Sequence, residues 1–409
     1  MKSDRARLLA AVAGVTAISL AVTCANGARG DYPVDAGPTI DALLGGHLQQ
    51  ALASHPIMGA FAVLLRLPFA ALAKALGGGE VAIYQAGCFP CVLALGLFGE
   101  ALAREMTRRG ASRLVGAATT VFLLVNPLTW EALRLGHPEE LLGAALVGWA
   151  ALLALRGQSI ACGVALGLAL ATKQWAAIAV LPVLAAVPRE RVRFGVITCA
   201  VVAALTVPVA VADSGGFAGA TQQAGWAGKR VYPFNAVYPF APSEQRTIDV
   251  AGETKVVTVR VLPTWVAHIL HPLIVLLAVP LTAAYWLRRR RLDAHDVFAL
   301  LALLFLLRCL LDPVDNAYYH VPFLVSLVAW ESLAARRVPV LGMLASVAIW
   351  FVIYKAHVSD AFTARNVFYL LVTVPFGAWL CTTLFGARRG ARQAGRTPPA
   401  PALERPAAA

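Results

Sequence analysis

The chain has 409 residues, of which 59% are hydrophobic and only 14% charged, and its mean hydropathy is +0.69. Soluble domains carry about 25% charged residues, so this composition excludes an ordinary water-soluble enzyme. The formal net charge of +13 does not indicate a nucleic-acid partner. The basic residues fall in short runs between apolar segments, at Arg104/Arg108/Arg109/Arg113, Arg189/Arg191/Arg193, Arg288 to Arg291, Arg336/Arg337 and Arg388/Arg389/Arg392, as expected of cytoplasmic loops.

Apolar runs near membrane-spanning length recur along the chain, the mark of an all-α polytopic membrane protein. Lys2, Arg5 and Arg7 precede the first run. Cys24 follows Thr23 instead of the small residue expected before a lipidated cysteine, so an uncleaved first helix near 7–26 is expected, with the N-terminus in the cytoplasm. It delivers an outer loop over 27–79 that opens with DYPVDAGPTIDALLGGHLQQ, from Asp31 to Gln50. Within that loop, 57–76 holds Arg66, Pro68 and Lys74. Cations are costly at mid-membrane depth, so this helix is expected in or dipping into the outer interface.

The stretch 80–103 returns to the cytoplasm, 114–129 goes out and 140–155 comes back. Residues 159–187 carry Lys173 in the middle and read as two short helices with that lysine at an outer turn. Each half, about 21 Å long, is too short for a ~30 Å hydrocarbon core. After 194–212 a long outer loop spans 213–263, aromatic and basic (Trp226, Lys229, Arg230, Tyr232, Phe234, Tyr238, Phe240), and its end, RTIDVAGETKVVTVRVL, alternates around a glycine as a hairpin does. Runs at 264–287, 297–311, 320–334, 338–354 and 366–385 complete about 12 spans in a single domain over 1–387. The Pro-, Ala- and Arg-rich tail at 388–409 reads as disordered cytoplasmic chain. Cys88-Phe-Pro-Cys91 has redox spacing but no βαβ context, which leaves two buried thiols on a proline-bent helix.

The loops opposite the arginines are of another kind. They hold Asp31, Asp35, Asp41, His47 and His55; Trp130, Glu131, Arg134, His137, Glu139 and Glu140; DPVDNAYYH at 312–320; and His357 and Asp360. Each has a plain reading: Asp35 as a helix cap, Lys173 snorkelling to headgroups, His137 and Glu139 pairing locally, Asp312 and Asp315 capping. Their convergence on one face argues for a site. A first-loop carboxylate, Asp31 or Asp35, suits a general base taking a proton from an alcohol. Lys173, Arg134 and Arg66 suit an anionic phosphate leaving group, and His137, Glu139, Asp312, Asp315, Asn316, Tyr319 and His320 would contact substrate. No Walker A or dinucleotide fingerprint is present, and His137-Pro-Glu139 lacks zinc-protease spacing. Asp31 and Asp35 without a further fixed ligand do not define a metal site, so no cofactor is expected.

Residues 136–184, GHPEELLGAALVGWAALLALRGQSIACGVALGLALATKQWAAIAVLPVL, resemble glycosyltransferase family 87 of the GT-C membrane enzymes, through Gly136-His137, Arg156, Gly167-Leu168-Ala169 and Lys173. The first-loop acid ahead of Leu43-Leu44-Gly45 and the loop ending Tyr319-His320-Val321-Pro322 fit the same pattern. The resemblance implies a GT-C-like bundle and a polyprenyl-phosphate-sugar-dependent transferase, often a mannosyltransferase, acting at the outer side on a lipid or glycan acceptor. It also implies an aspartate of the first loop as base. Asp31 has the better spacing to Leu43, Pro33 and Pro38 depart from the family pattern, and the choice between Asp31 and Asp35 stays open. Two other functions compete. A secondary transporter or lipid flippase would show internal repeats and mid-span charges, and a non-catalytic scaffold would tolerate loss of every loop acid.

Overall fold

The computed structural model describes residues 11–20, 27, 29–55, 59–225, 229–250, 253–289, 295–354 and 362–386. Lys2, Arg5, Arg7, Cys24, Trp226, Arg290, Arg291, His357, Asp360 and the tail expected to be disordered lie outside these residues.

Helix α1 (Ala11–Leu20) lies against α5, where Val12 meets Gly96. The first loop then forms two short helices, α2 (Gly37–Leu44) and α3 (Leu48–Ala53), ahead of α4 (Ala60–Ala75). A glycine turn at 77–79 reverses the chain into α5 (Glu80–Arg108), and α4 folds back along its first half, with Arg66 beside Gly87 and Phe69 against Phe89. Arg66 is thereby turned inward and fully buried.

The expected span at 114–129 is broken into α6 (Arg113–Val125) and α7 (Pro127–Arg134). Pro127 has no N–H to continue the helix. Asn126 seals the break: its Oδ1 accepts from the Leu128 and Thr129 amides at 3.1 and 3.0 Å, and its Nδ2 donates to the Phe122 and Leu123 carbonyls at 3.1 and 3.0 Å. Helix α8 (Pro138–Leu155) follows, then α9 (Ser159–Leu170) and a 3-10 turn over Gln174–Ala179 running into α10 (Val180–Ala186). Lys173 sits at the turn between these short pieces, as its position in an apolar run suggested.

Helix α11 (Arg191–Ala212) is apolar and packs one side on α9, where Val201 meets Gly167 and Thr198 donates to the Gly163 carbonyl at 3.3 Å, while most of its surface is left uncovered. The long loop that follows holds more structure than its sequence indicated. It begins with α12 (Ser214–Gly225), whose glycines disguise it; the Asp213 carboxylate caps it by accepting from the Gly216 amide at 3.1 Å. The expected hairpin is present as β2 (Ser243–Val250) and β3 (Glu253–Val261), paired antiparallel from Ser243↔Arg260 to Val250↔Glu253. A short strand β1 (Arg230–Val231) adds to the other edge of β3.

Helices α13 (Thr264–Leu276), α14 (Ala278–Arg289), α15 (Asp296–Leu311), α16 (Val321–Ala335), α17 (Val340–Tyr354) and α18 (Phe362–Phe385) complete the bundle. Among the described residues, six helical stretches are long and apolar enough to cross a membrane, two of them the consecutive pairs α6–α7 and α13–α14, and shorter apolar helices stand beside them. A multi-pass membrane bundle is therefore in place, although length and composition alone do not reach twelve crossings.

The arginine loops meet at one end. Arg336 Nη1 donates to the Arg109 carbonyl at 3.2 Å, Arg156 reaches Glu105 at 3.3 Å, Ser159 bonds the Arg189 carbonyl at 3.2 Å, and Arg191 lies 4.5 Å over the Trp286 ring. The polar loops meet at the other end. There the Asp31 amide donates to the Leu135 carbonyl at 3.0 Å, the Gly59 amide to Thr172 at 2.9 Å and the Tyr232 amide to Pro313 at 2.7 Å.

A candidate active site at the polar end of the bundle

The turn from α7 into α8 builds the site. Gly136 takes φ +91°, and a Cβ there would lie 2.7 Å from the Arg29 carbonyl oxygen and from the Tyr32 amide. Only glycine accepts this backbone and this approach of the first loop. Pro138 then starts α8 without a lost hydrogen bond, and Glu139 and Glu140 fall in its first turn, where the helix dipole favours carboxylates.

A continuous polar chain results. Asp31 Oδ2 lies 3.2 Å from His137 Nε2, and His137 Nδ1 lies 3.0 Å from Glu139 Oε1. The same Glu139 oxygen is 3.2 Å from Lys173 Nζ, which also stands 3.5 Å from Glu140 Oε1. Glu139 Oε2 is 3.9 Å from Arg66 Nη1, and the Arg66 guanidinium lies 5.4 Å over the Tyr32 ring and 6.0 Å over Tyr84. With a carboxylate at each ring nitrogen, His137 can donate twice only as the imidazolium. Burial opposes that charge, but the hydrogen bond and charge of Glu139 outweigh it and raise the His137 pKa. Burial likewise opposes the Lys173 ammonium, and Glu139 and Glu140 overcome it. Tyr318 stacks on His137 at 4.1 Å between centroids and 26° between planes.

Asp35 stands beside this chain. Burial raises its pKa, against the charges of His137 and Lys173. Its side chain makes no hydrogen bond or ion pair among the described residues, and the helix it was expected to cap has Ala36 at the cap position instead. Asp31, by contrast, is 59% exposed and tied to His137.

The loop at 312–320 closes the site from α15. Arg308 lies 5.4 Å over Trp175 and 4.5 Å over Tyr319, donates to the Tyr319 carbonyl at 3.3 Å and makes no ion pair among the described residues. Its charge acts on Lys173. Asp312 accepts from the Val314 amide at 3.0 Å and faces His271 Nε2 at 3.2 Å. Asn316 caps the 3-10 turn Ala317–His320 by accepting from the Ala317 amide at 2.8 Å.

Asp315 and His320 turn away from the charged chain toward α18. The Tyr369 hydroxyl is 3.1 Å from Asp315 Oδ2 and 2.9 Å from His320 Nε2, and His320 Nδ1 meets the Asn316 carbonyl at 3.3 Å. Asp315 Oδ1 is buried without a hydrogen-bond partner, an arrangement that costs about 1–3 kcal/mol. Burial lifts the Asp315 carboxyl well above the ordinary range.

The structure thus brings Asp31, Asp35, His137, Glu139, Lys173 and Arg66 together, with Tyr319 across the site. Arg134 is not part of that group: its Nε pairs with Glu131 Oε2 at 2.6 Å and its guanidinium lies 5.5 Å over Tyr354. Sequence reasoning left Glu140, Arg308, Tyr318, Tyr32 and Tyr84 out of the site. The Glu-Glu pair at a helix start and an arginine inside an apolar run were readable signals for the first two; Tyr32 and Tyr318 lay in the polar loops at 31–50 and 312–320, and Tyr84 gave no signal.

The fold matches a solved membrane enzyme. Over 93% of this chain and 72% of the other, it is similar to ArnT from Cupriavidus metallidurans, whose crystal structure is bound to undecaprenyl phosphate, with a TM-score of 0.51 and 16% sequence identity. The shared architecture is that of a GT-C polytopic membrane protein. No curated protein matches the chain. The model of glycosyltransferase family 87 matches residues 58–313, more than half of the sequence, and the chain belongs to that family. It is a multi-pass membrane glycosyltransferase, as the motifs at 136–184 implied.

Proposed function

We propose that this chain transfers a hexose, mannose being the sugar to try first, from a polyprenyl-phosphate donor to a hydroxyl of a cell-envelope lipid or glycan. The observation that carries this reading is Asp35: a half-buried carboxylate without a hydrogen-bond partner among the described residues, beside His137 and Lys173, whose charges act on it. A general base needs a free lone pair and a raised pKa, and Asp35 has both, whereas Asp31 is engaged in orienting His137. In the reaction Asp35 takes the proton of the acceptor hydroxyl as that oxygen attacks the anomeric carbon. The bond from that carbon to the phosphate oxygen breaks, and polyprenyl phosphate leaves with its charge.

Arg308 is the cation for that phosphate, because Lys173 and Arg66 are already shared with Glu139 and Glu140. Those two support it through their field, and Arg134 lies to one side with Glu131. The lipid-phosphate ligand of ArnT supports a donor of the same class. The arginine-rich end is placed in the cytoplasm by the positive-inside rule, which puts both termini there and the site at the outer face.

Transfer of labelled sugar from polyprenyl phosphate by the purified protein in liposomes tests this. Asp35→Asn should lose transfer while Asp31→Asn keeps part of it. Full activity in both variants would remove the first loop from the chemistry, and uptake of solute without transfer would favour a transporter.

A further inference from the structure

Behind the site, three side chains with metal-ligating atoms stand together. Cys309, Asp315 and His320 are all buried, and one donor atom from each lies within 4.8 Å of the others. They come from the last turn of α15, the loop after it and the 3-10 turn before α16. The Tyr369 hydroxyl, from α18, touches both Asp315 Oδ2 and His320 Nε2. None of these residues is needed as base or phosphate ligand in the transfer reaction.

We propose that Cys309, Asp315 and His320 bind a divalent transition metal of the zinc class, with the Tyr369 hydroxyl or a water as fourth donor. The donor set is one thiolate, one imidazole and one carboxylate, a mixture that selects borderline ions such as Zn2+ over Mg2+ or Ca2+. Zinc–ligand bonds of about 2.0–2.3 Å place tetrahedral donors about 3.5 Å apart, so the side chains close by roughly an ångström, within reach of rotamer adjustment.

A second observation points the same way. Asp315 is 1% exposed, and its Oδ1 has no hydrogen-bond partner, so the carboxylate retains an unsatisfied oxygen in a sealed pocket. The protons and charges balance. The Cys309 thiol loses its proton to solvent as the metal–sulfur bond forms, and Asp315 binds as the carboxylate. His320 offers the Nε2 lone pair while Nδ1–H stays on the Asn316 carbonyl. Two anionic ligands cancel the dication, and the pocket stays neutral. The second shell is fixed too, because that Nδ1–H contact sets the tautomer that frees Nε2.

The site would tie α15, the 312–320 loop and α18 together directly behind Tyr318 and Tyr319, the rings that face His137 and Arg308. It stands independently of the sugar reaction, and its test does not read activity.

The full-length protein in detergent, stripped with a chelator, is titrated with Co2+. Stoichiometric binding with a near-ultraviolet thiolate-to-cobalt band and the strong visible bands of a tetrahedral ion is expected, and Zn2+ should bleach both. Cys309→Ser should abolish the near-ultraviolet band, whereas the double variant Cys88→Ser/Cys91→Ser should keep it. His320→Asn should keep the thiolate band and shift the visible ones. Elution volume and thermal transition of each metal-free variant establish that it is folded. The proposal is overturned if the wild type shows no thiolate band, or if the band survives Cys309→Ser.

Discussion

His137 and His320 each stand within reach of an aspartate, and their surroundings make them different groups. His137 has carboxylates on both nitrogens, a lysine and an arginine beyond them, and an opening to solvent through the 59%-exposed Asp31. His320 has a backbone carbonyl on one side and a shared tyrosine hydroxyl on the other, with no exposure. The first region is a charged network that alternates sign from Asp31 to Arg66; the second is a sealed pocket held by neutral donors and acceptors. Charge alternation lets four carboxylates and three cations share one cavity without prohibitive desolvation. In the second pocket Asp315 meets the Tyr369 hydroxyl at 3.1 Å and His320 Nε2 at 3.4 Å, and burial still lifts its carboxyl well above the ordinary range. The proposed base therefore lies in the first region and the proposed metal ligands in the second.

Substitutions test that contrast, beginning with the strongest. Asp35→Asn should lower transfer by about a hundredfold or more, the usual contribution of a general base, with unchanged amounts of protein in the membrane; wild-type rates would move the base elsewhere. Glu139→Gln leaves Lys173, Arg66 and His137 without their common anion, and removing one partner of a buried ion pair costs about 3–5 kcal/mol. A thermal transition unchanged from wild type would show the network to be weakly coupled.

Tyr369→Phe deprives Asp315 and His320 of one shared hydroxyl and should cost about 1–3 kcal/mol, less than Glu139→Gln, in chelator-treated protein. Gly136→Ala forces a left-handed backbone on alanine and should cost about 1–2 kcal/mol, with further loss from the contact to Arg29 and Tyr32; equal melting would contradict the turn.

The smallest effect is one of pH. The folded pKa of His137 is raised, so its stabilisation is complete below the ordinary histidine value of about 6.5 and fades as pH climbs through the folded value. The gap in melting temperature between wild type and His137→Gln should therefore narrow on the alkaline side. A gap that widens there would mean a neutral imidazole.

Much of this was legible in sequence because hydrophobic runs and arginine placement are one-dimensional signals. Most apolar segments from 80 onward became helices close to their expected limits, with 114–129 and 264–287 each divided in two, and the hairpin in the long loop followed from alternation around a glycine. Two features escaped for local reasons. The break at Asn126-Pro127 divides what reads as one span, and α12 is written in glycine, serine and alanine, a composition that resembles a loop until Asp213 caps it.

The sequence by itself determined that the chain is a membrane protein, that its arginines share one end, and that acids gather in the loops between the other ends. It also held Asp31 and Asp35 as the two candidates for a base. Only the tertiary structure decided between their surroundings, because the partners come from distant segments: His137 reaches Asp31 across 106 positions, and Tyr369 joins Asp315 across 54. Hydropathy reports whether a residue is buried in lipid or protein, but not which charge stands beside it. That pairing is set by how α4, α8, α15 and α18 pack, and it made Arg66 a buried partner of Glu139 and left Arg134 with Glu131.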